Sequence, residues 1–134
     1  MTKAEQLLAL AVRCEEATGA EQKIDAAIGR VLGIPAKAKN VYKRSHYPRI
    51  LIRVDEKYPK FTASLDAAMT LLPQDPWVEV KGPRKYLNIP SPVPNKWSAH
   101  VTQWGHPDDA MGWAATPALA LCAASLRAIA AMEA

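Results

Sequence analysis

Apolar residues near the start of the chain recur at helical steps. Leu7, Leu10, Ala11, Cys14 and Ala17 are three and four apart, while Lys3, Glu5, Arg13, Glu15 and Glu16 fall largely on the wet side, so the spacing predicts an amphipathic helix. Thr2 and Glu5 have the spacing of a capping box at its start, and Thr18 and Glu21 repeat it. A second pattern, Ile24, Ala27, Ile28, Val31 and Leu32, predicts a helix that stops near residue 32. Gly33 there suits a left-handed cap, and Pro35 cannot continue a helix.

Further along, Arg49 to Val54 is a β-branched run bracketed by Pro48 and Pro59 and predicts a short strand. Leu65, Ala68, Met69 and Leu72 mark the apolar stripe of a short helix capped by Thr62 or Ser64, with Asp66 in its first turn and Pro73 closing it. Three extended segments, Trp77 to Lys81, Arg84 to Ile89 and Trp97 to Trp104, then read as an antiparallel meander, with Trp77 as core at a strand start. The apolar run Ala110 to Ala131 reads as buried helix, with Thr116-Pro117 as an N-cap followed by the one helical position where proline fits. Ser125 and Arg127 are nearly the only polar side chains after that cap. Such a helix needs cover on two sides, from a sheet and another helix or from a sheet and a second subunit.

The expected fold class is therefore α+β: N-terminal helices, an antiparallel sheet of three to four strands, and a long C-terminal helix packed on the sheet. At 134 residues the chain makes a single domain, 1–134, with a helical part at 2–33, a basic insert at 34–60 and a helix-meander-helix part at 61–134. No segment has the form of a signal peptide or a membrane span, so the expectation is a cytoplasmic protein with no membrane partner. Cys14 and Cys122 lie on apolar helical faces and read as small core residues.

Charge changes the picture. The formal net charge is +4, yet Lys37 to Lys60 carries eight basic residues against Asp55 and Glu56, which places +6 in that segment and −2 in the remainder. Tyr42, His46, Tyr47 and Tyr58 interleave with it. Guanidinium and ammonium groups pair with phosphate and rings stack on bases, so Tyr42, Lys43, Arg44, His46, Arg49 and Arg53 are candidate ligand-binding residues. Arg84, Lys85, Trp104 and His106 join them as a second group near the meander's turns. The plainer reading is a solvated loop and a guarded edge strand.

Catalytic grammar is missing. The hydroxyls read as caps or strand positions, no P-loop or nucleophile elbow is present, and His100, His106, Asp108 and Asp109 match no metal-ligand spacing. The expectation is a binding protein rather than an enzyme, with no catalytic residues, no metal and no cofactor.

Three blocks carry a resemblance: Leu7 to Gly19, Phe61 to Leu71 and Ala115 to Arg127. Together and in this order they resemble small phage and prophage proteins of the phage alpha-beta-alpha sandwich domain family and, more distantly, NinX-like phage proteins. The resemblance implies a phage origin and a sandwich fold, brings no assigned catalytic residues, and does not extend to the basic insert. The leading expectation is a homo-oligomeric counter-defence sponge holding a small anionic nucleotide, an immune signal, in a pocket between subunits. The alternatives are a nucleic-acid-binding accessory protein that uses residues 37–60, or a phage protein that binds and inhibits a host protein. The helix, meander, helix order from Thr62 onward also imitates a double-stranded-RNA-binding domain, although the turn at Pro117-Ala118-Leu119-Ala120 has no cation to grip phosphate.

Overall fold

Helix α1 (Lys3–Glu16) opens a computed structural model that describes residues 2–45, 47–72, 76–83, 96–103 and 109–133. It begins with the expected capping box: the Thr2 hydroxyl accepts from the Glu5 amide at 3.2 Å, and the Glu5 carboxylate accepts from the Thr2 amide at 3.3 Å. Leu7, Leu10, Ala11 and Cys14 are its buried face.

Helix α2 (Gln22–Leu32) ends as expected at Gly33, whose φ of 70° is the left-handed cap a side chain disfavours. Its start differs from expectation. Glu21 occupies the N-cap without a side-chain cap bond, so no Thr18–Glu21 box forms. Thr62 does that work from 41 residues away: its hydroxyl accepts from the Glu21 amide at 2.9 Å and donates to Asp25 Oδ1 at 2.9 Å, while its own amide donates to the same oxygen at 2.8 Å. Asp25 and Thr62 are both buried, and a buried carboxylate is tolerable because these bonds satisfy it. Thr62 is therefore unavailable as the cap of α3 (Leu65–Met69), and Ser64 takes that role, accepting from the Ala67 amide at 3.3 Å. In α3 the core-facing positions are Ala68 and, just beyond, Leu71, whereas Leu65 and Met69 stay exposed.

The basic insert forms an antiparallel hairpin, β1 (Lys37–Tyr42) and β2 (Leu51–Lys57). The predicted strand at Arg49 to Val54 thus sits two to three residues further on, and its partner is a strand with no hydrophobic alternation to announce it.

A second antiparallel sheet has the order β3 (Pro76–Lys81), β4 (Trp97–Gln103), β5 (Ala110–Ala114). The predicted segment Arg84 to Ile89 lies outside the described residues, as does Pro73. Strand β5 occupies the first part of the run expected to be helix. Proline disfavours helical backbone in the residue before it, so Pro117 makes Thr116 the N-cap and keeps helix α4 (Pro117–Glu133) from extending upstream. The Thr116 hydroxyl accepts from the Leu119 amide at 3.2 Å.

Val78, Val80, Ala99, Val101 and Ala114 face α4, and their neighbours face away. Trp77 is one of those neighbours: it pairs in register with Thr102 and is 60% exposed, so it is not a core residue. Helix α4 is buried from Ala118 to Leu126 because the sheet covers one side and α1 the other, with α3 at its flank. The layers are sheet, α4, then α1 with α2. Cover within the chain suffices, and α4 needs no second subunit. At the closest approach a Cβ on Gly112 would stand 2.5 Å from the Ala120 carbonyl oxygen and 2.8 Å from Ala123 Cβ. Cys14 and Cys122 are buried and unpaired, and burial pushes the Cys14 thiol up to about 12 and that of Cys122 upward as well.

Strand β5 has a free edge, and two residues expected to be unremarkable close it. Glu15 Oε2 accepts from the Trp113 amide at 2.9 Å, and Arg127 Nη1 donates to the Met111 carbonyl and to Glu15 Oε2, both at 2.8 Å. Arg127 Nη2 also donates to Glu15 Oε1, completing a bidentate pair. The pair supplies β5 with the acceptor and donor that another strand would offer, and it joins α1, β5 and α4. Glu15 is therefore not on the wet side. Partial burial alone would raise its carboxyl, but the Arg127 and Trp113 hydrogen bonds and the nearby positive charges outweigh it and hold the group below its ordinary 4.5.

A carboxyl depressed on folding contributes stability that is complete above pH 4.5 and is lost as pH falls through the folded-state value. Replacing Glu15 by Gln is expected to cost about 1–3 kcal/mol at pH 7, through the hydrogen bonds and charge pairing lost. It should also flatten the acid limb of a stability-against-pH curve measured by urea unfolding. Gly112→Ala is expected to cost about 3 kcal/mol by overpacking α4, read as a lower urea midpoint at unchanged slope.

Candidate nucleic-acid interface

The β1–β2 hairpin differs from the other elements in packing on little among the described residues. Both strands are exposed along nearly their whole length, and among the described residues neither makes more than marginal contact with a helix or with the three-stranded sheet. At about 3.3 Å per residue it forms an arm about 20 Å long.

Register sorts its side chains. Lys37 lies opposite Lys57, Lys39 opposite Asp55 and Val41 opposite Arg53, which places Lys37, Lys39, Arg53 and Lys57 along one face. Ala38, Asn40, Tyr42, Ile52, Val54 and Glu56 lie on the other, where the Asn40 amide donates to the Tyr42 hydroxyl at 3.3 Å. A bulge beside Tyr42 brings Leu51 and Ile52 together against it. One face is cationic and the other mainly apolar, yet both meet solvent: Leu51, Ile52 and Val54 are each about half exposed.

The tip gathers further cations. Lys43 extends the ladder, its amide donating to the Ile50 carbonyl at 2.8 Å, and the Arg49 guanidinium sits 5.5 Å from the centre of the Tyr42 ring. Tyr47 beside them is 95% exposed. Of the residues singled out from sequence, Tyr42, Lys43, Arg44, Arg49 and Arg53 are thus brought onto one arm. His46, Arg84, Lys85, Trp104 and His106 lie outside the described residues. Lys37, Lys39 and Lys57 were part of the segment's charge, but only the strand pairing reveals that they share a face with Arg53.

Two other places hold polar chemistry. A hollow of about 550 Å³ is lined by Glu15, Lys96, Asp109, Met111, Trp113 and Arg127. Its central charges are already committed to the β5 edge, and Lys96 Nζ donates to the Glu15 carbonyl at 3.3 Å. On the sheet face away from α4, the Trp77 and His100 rings meet edge to face with centroids 6.2 Å apart. Asp109 accepts from the Thr102 hydroxyl at 2.9 Å, and its other oxygen lies 2.9 Å from His100 Nε2. That second approach is an ion contact when the imidazole is protonated, and its direction is too poor for a hydrogen bond. The Thr102 hydroxyl and then His100 hold the exposed Asp109 carboxyl below its ordinary value. No group of three or more potential metal ligands occurs among the described residues.

The order α3, β3, β4, β5, α4 is that of a double-stranded-RNA-binding domain, but the corresponding phosphate grip is absent. Ala118, Leu119 and Ala120 at the start of α4 are buried and uncharged.

If the arm stands apart from the core, excising it leaves the core intact. Joining Ala36 to Tyr58 through a four-residue Gly/Ser linker is geometrically simple, since Lys37 and Lys57 are register partners. The shortened protein is expected to keep its thermal midpoint within about 3 °C, measured by circular dichroism, because little buried surface is removed. Neither protein-family models nor curated proteins nor solved structures give a match to this chain.

Proposed function

We propose that the protein binds nucleic acid through the β1–β2 arm, with the cations of the arm neutralising phosphates and Tyr42 and Tyr47 offered to bases. The observation that carries this reading is the arm itself, a two-stranded ribbon that buries neither face against the described residues and carries a dense positive charge. A hairpin of two strands is marginal in water without a partner, and a polyanion of groove dimensions supplies both charge and surface. The clustering of +6 in residues 37–60 of a chain otherwise at −2 argues in the same direction.

Two features weigh against the nucleotide-sponge reading. The candidate residues on the arm do not line the hollow around Glu15 and Arg127, and α4 is covered from Ala118 to Leu126 by its own chain. The half-exposed Leu51, Ile52 and Val54 would suit a host-protein partner, and it is the charge of the arm that favours a polyanion. The phage resemblance of the three sequence blocks sets the proposed activity in a phage or prophage protein working in the bacterial cytoplasm. For location the structure contributes one fact: among the described residues, no helix is long and apolar enough to cross a membrane.

Fluorescence anisotropy with labelled duplex and single-stranded oligonucleotides tests the proposal. Binding is expected to weaken steeply with salt, and reversing Lys43, Arg44, Arg49 and Arg53 to Glu is expected to reduce the slope of log K against log salt by about 3 to 4, as four phosphate contacts require. Affinity unchanged by those four reversals would refute it.

A further inference from the structure

Where the arm joins the body, a cleft of about 570 Å³ opens between α2 and the end of β2. Its volume falls within the range of roughly 300–1,000 Å³ that suits a small ligand or one nucleotide unit. Arg30 enters from α2, Lys57 from the arm, and Tyr58 and Lys60 from the segment that follows it.

The charges in the cleft do not cancel. Asp25 is buried and occupied by the amide and hydroxyl of Thr62. With Glu56 that makes two carboxylates against three cations among the described lining residues, and Glu56 is the exposed one of the two. Arg30, Lys57 and Lys60 are all exposed, and none of them has a carboxylate within ion-pair distance among the described residues.

Tyr58 makes the cleft a built feature. Its ring lies against α2 where Gly29 has no side chain: a Cβ there would fall 2.2 Å from Cδ1 of the ring. The Arg30 guanidinium is 5.7 Å from the ring centre, which orients its planar fork while leaving its N–H groups free to donate. An oriented guanidinium in a cleft that Lys57 and Lys60 also line suits a phosphate, since the fork matches two phosphate oxygens and the lysines add charge.

We infer that this cleft seats the phosphate of a nucleoside phosphate through Arg30, Lys57 and Lys60. The same chemistry can arrive as a phosphodiester in a strand held by the arm, which rests on the function proposed above, or as a free nucleotide, which does not.

The experiment compares the wild-type protein with R30Q/K60Q, whose two changes lie outside the arm and at exposed positions, with unchanged circular dichroism as the folding control. Labelled oligonucleotide is titrated by anisotropy and ADP by calorimetry. If the seat holds a strand, R30Q/K60Q is expected to weaken the oligonucleotide at least tenfold. If it holds free nucleotide, ADP is expected to bind the wild type and to lose at least tenfold in the variant, even if no oligonucleotide binds and the arm proposal fails. Oligonucleotide affinity, whether measurable or nil, that is the same in wild type and variant, together with no ADP binding sensitive to the two changes, overturns the inference.

Discussion

Helix α4 has no polar face, and the architecture follows from covering it. From Ala118 to Leu126 its side chains are buried on every side, so a sheet must lie against one flank and a helix against the other. Alanine and Gly112 permit the short separation this requires, because each Cβ or side chain left out lets a backbone come closer. The cost of such close packing is sensitivity: added volume at Gly112 has nowhere to go. The same layer holds Cys14, Cys122 and Phe61, all fully buried, with the Cys122 thiol donating to the Phe61 carbonyl.

The two sheets treat their open edges in opposite ways. On β5 the exposed donor and acceptor are taken up by Glu15 and Arg127, a carboxylate and a guanidinium that stand in for a strand and remove the site where another chain could pair. No such closure of the arm occurs among the described residues, and lysines and arginines along it discourage pairing with neutral strands. One edge is thus closed by a partly buried ion pair, while the other sheet is an extended, charged ribbon to which the proposed function assigns the contact. The cleft lies at the arm's root, between Tyr58 pinned on Gly29 and the cations around it.

Local signals were legible in the chain wherever local physics decides the outcome. The Thr2 capping box, the Gly33 stop and the Thr116-Pro117 start depend on a few adjacent residues and appear as expected. Strand β5 did not, because Ala110 to Ala114 has the same small apolar composition as α4 and is told apart only by what it packs on. Strand β1 did not either: a strand that buries neither face has no alternation to read. The Thr62–Asp25 and Glu15–Arg127 bonds join residues 37 and 112 positions apart, a separation that no local pattern encodes. For the candidate interface, the charge of residues 37–60 was visible as composition, whereas the common face of Lys37, Lys39, Arg53 and Lys57 depends on register. Arg30 was hidden for a third reason, since it belongs to a helix whose apolar face was the feature read.

Under the proposed function, a self-sufficient body built around a covered α4 carries an arm that acquires order by binding. Hydrogen–deuterium exchange of the intact protein, followed by mass spectrometry with and without an oligonucleotide duplex, tests this most directly. Peptides from α4 are predicted to stay protected in both states, while those spanning β1 and β2 exchange rapidly when free and slow markedly on addition of the duplex. Arm peptides as protected as α4 in the free protein, or unchanged by saturating duplex, would contradict it.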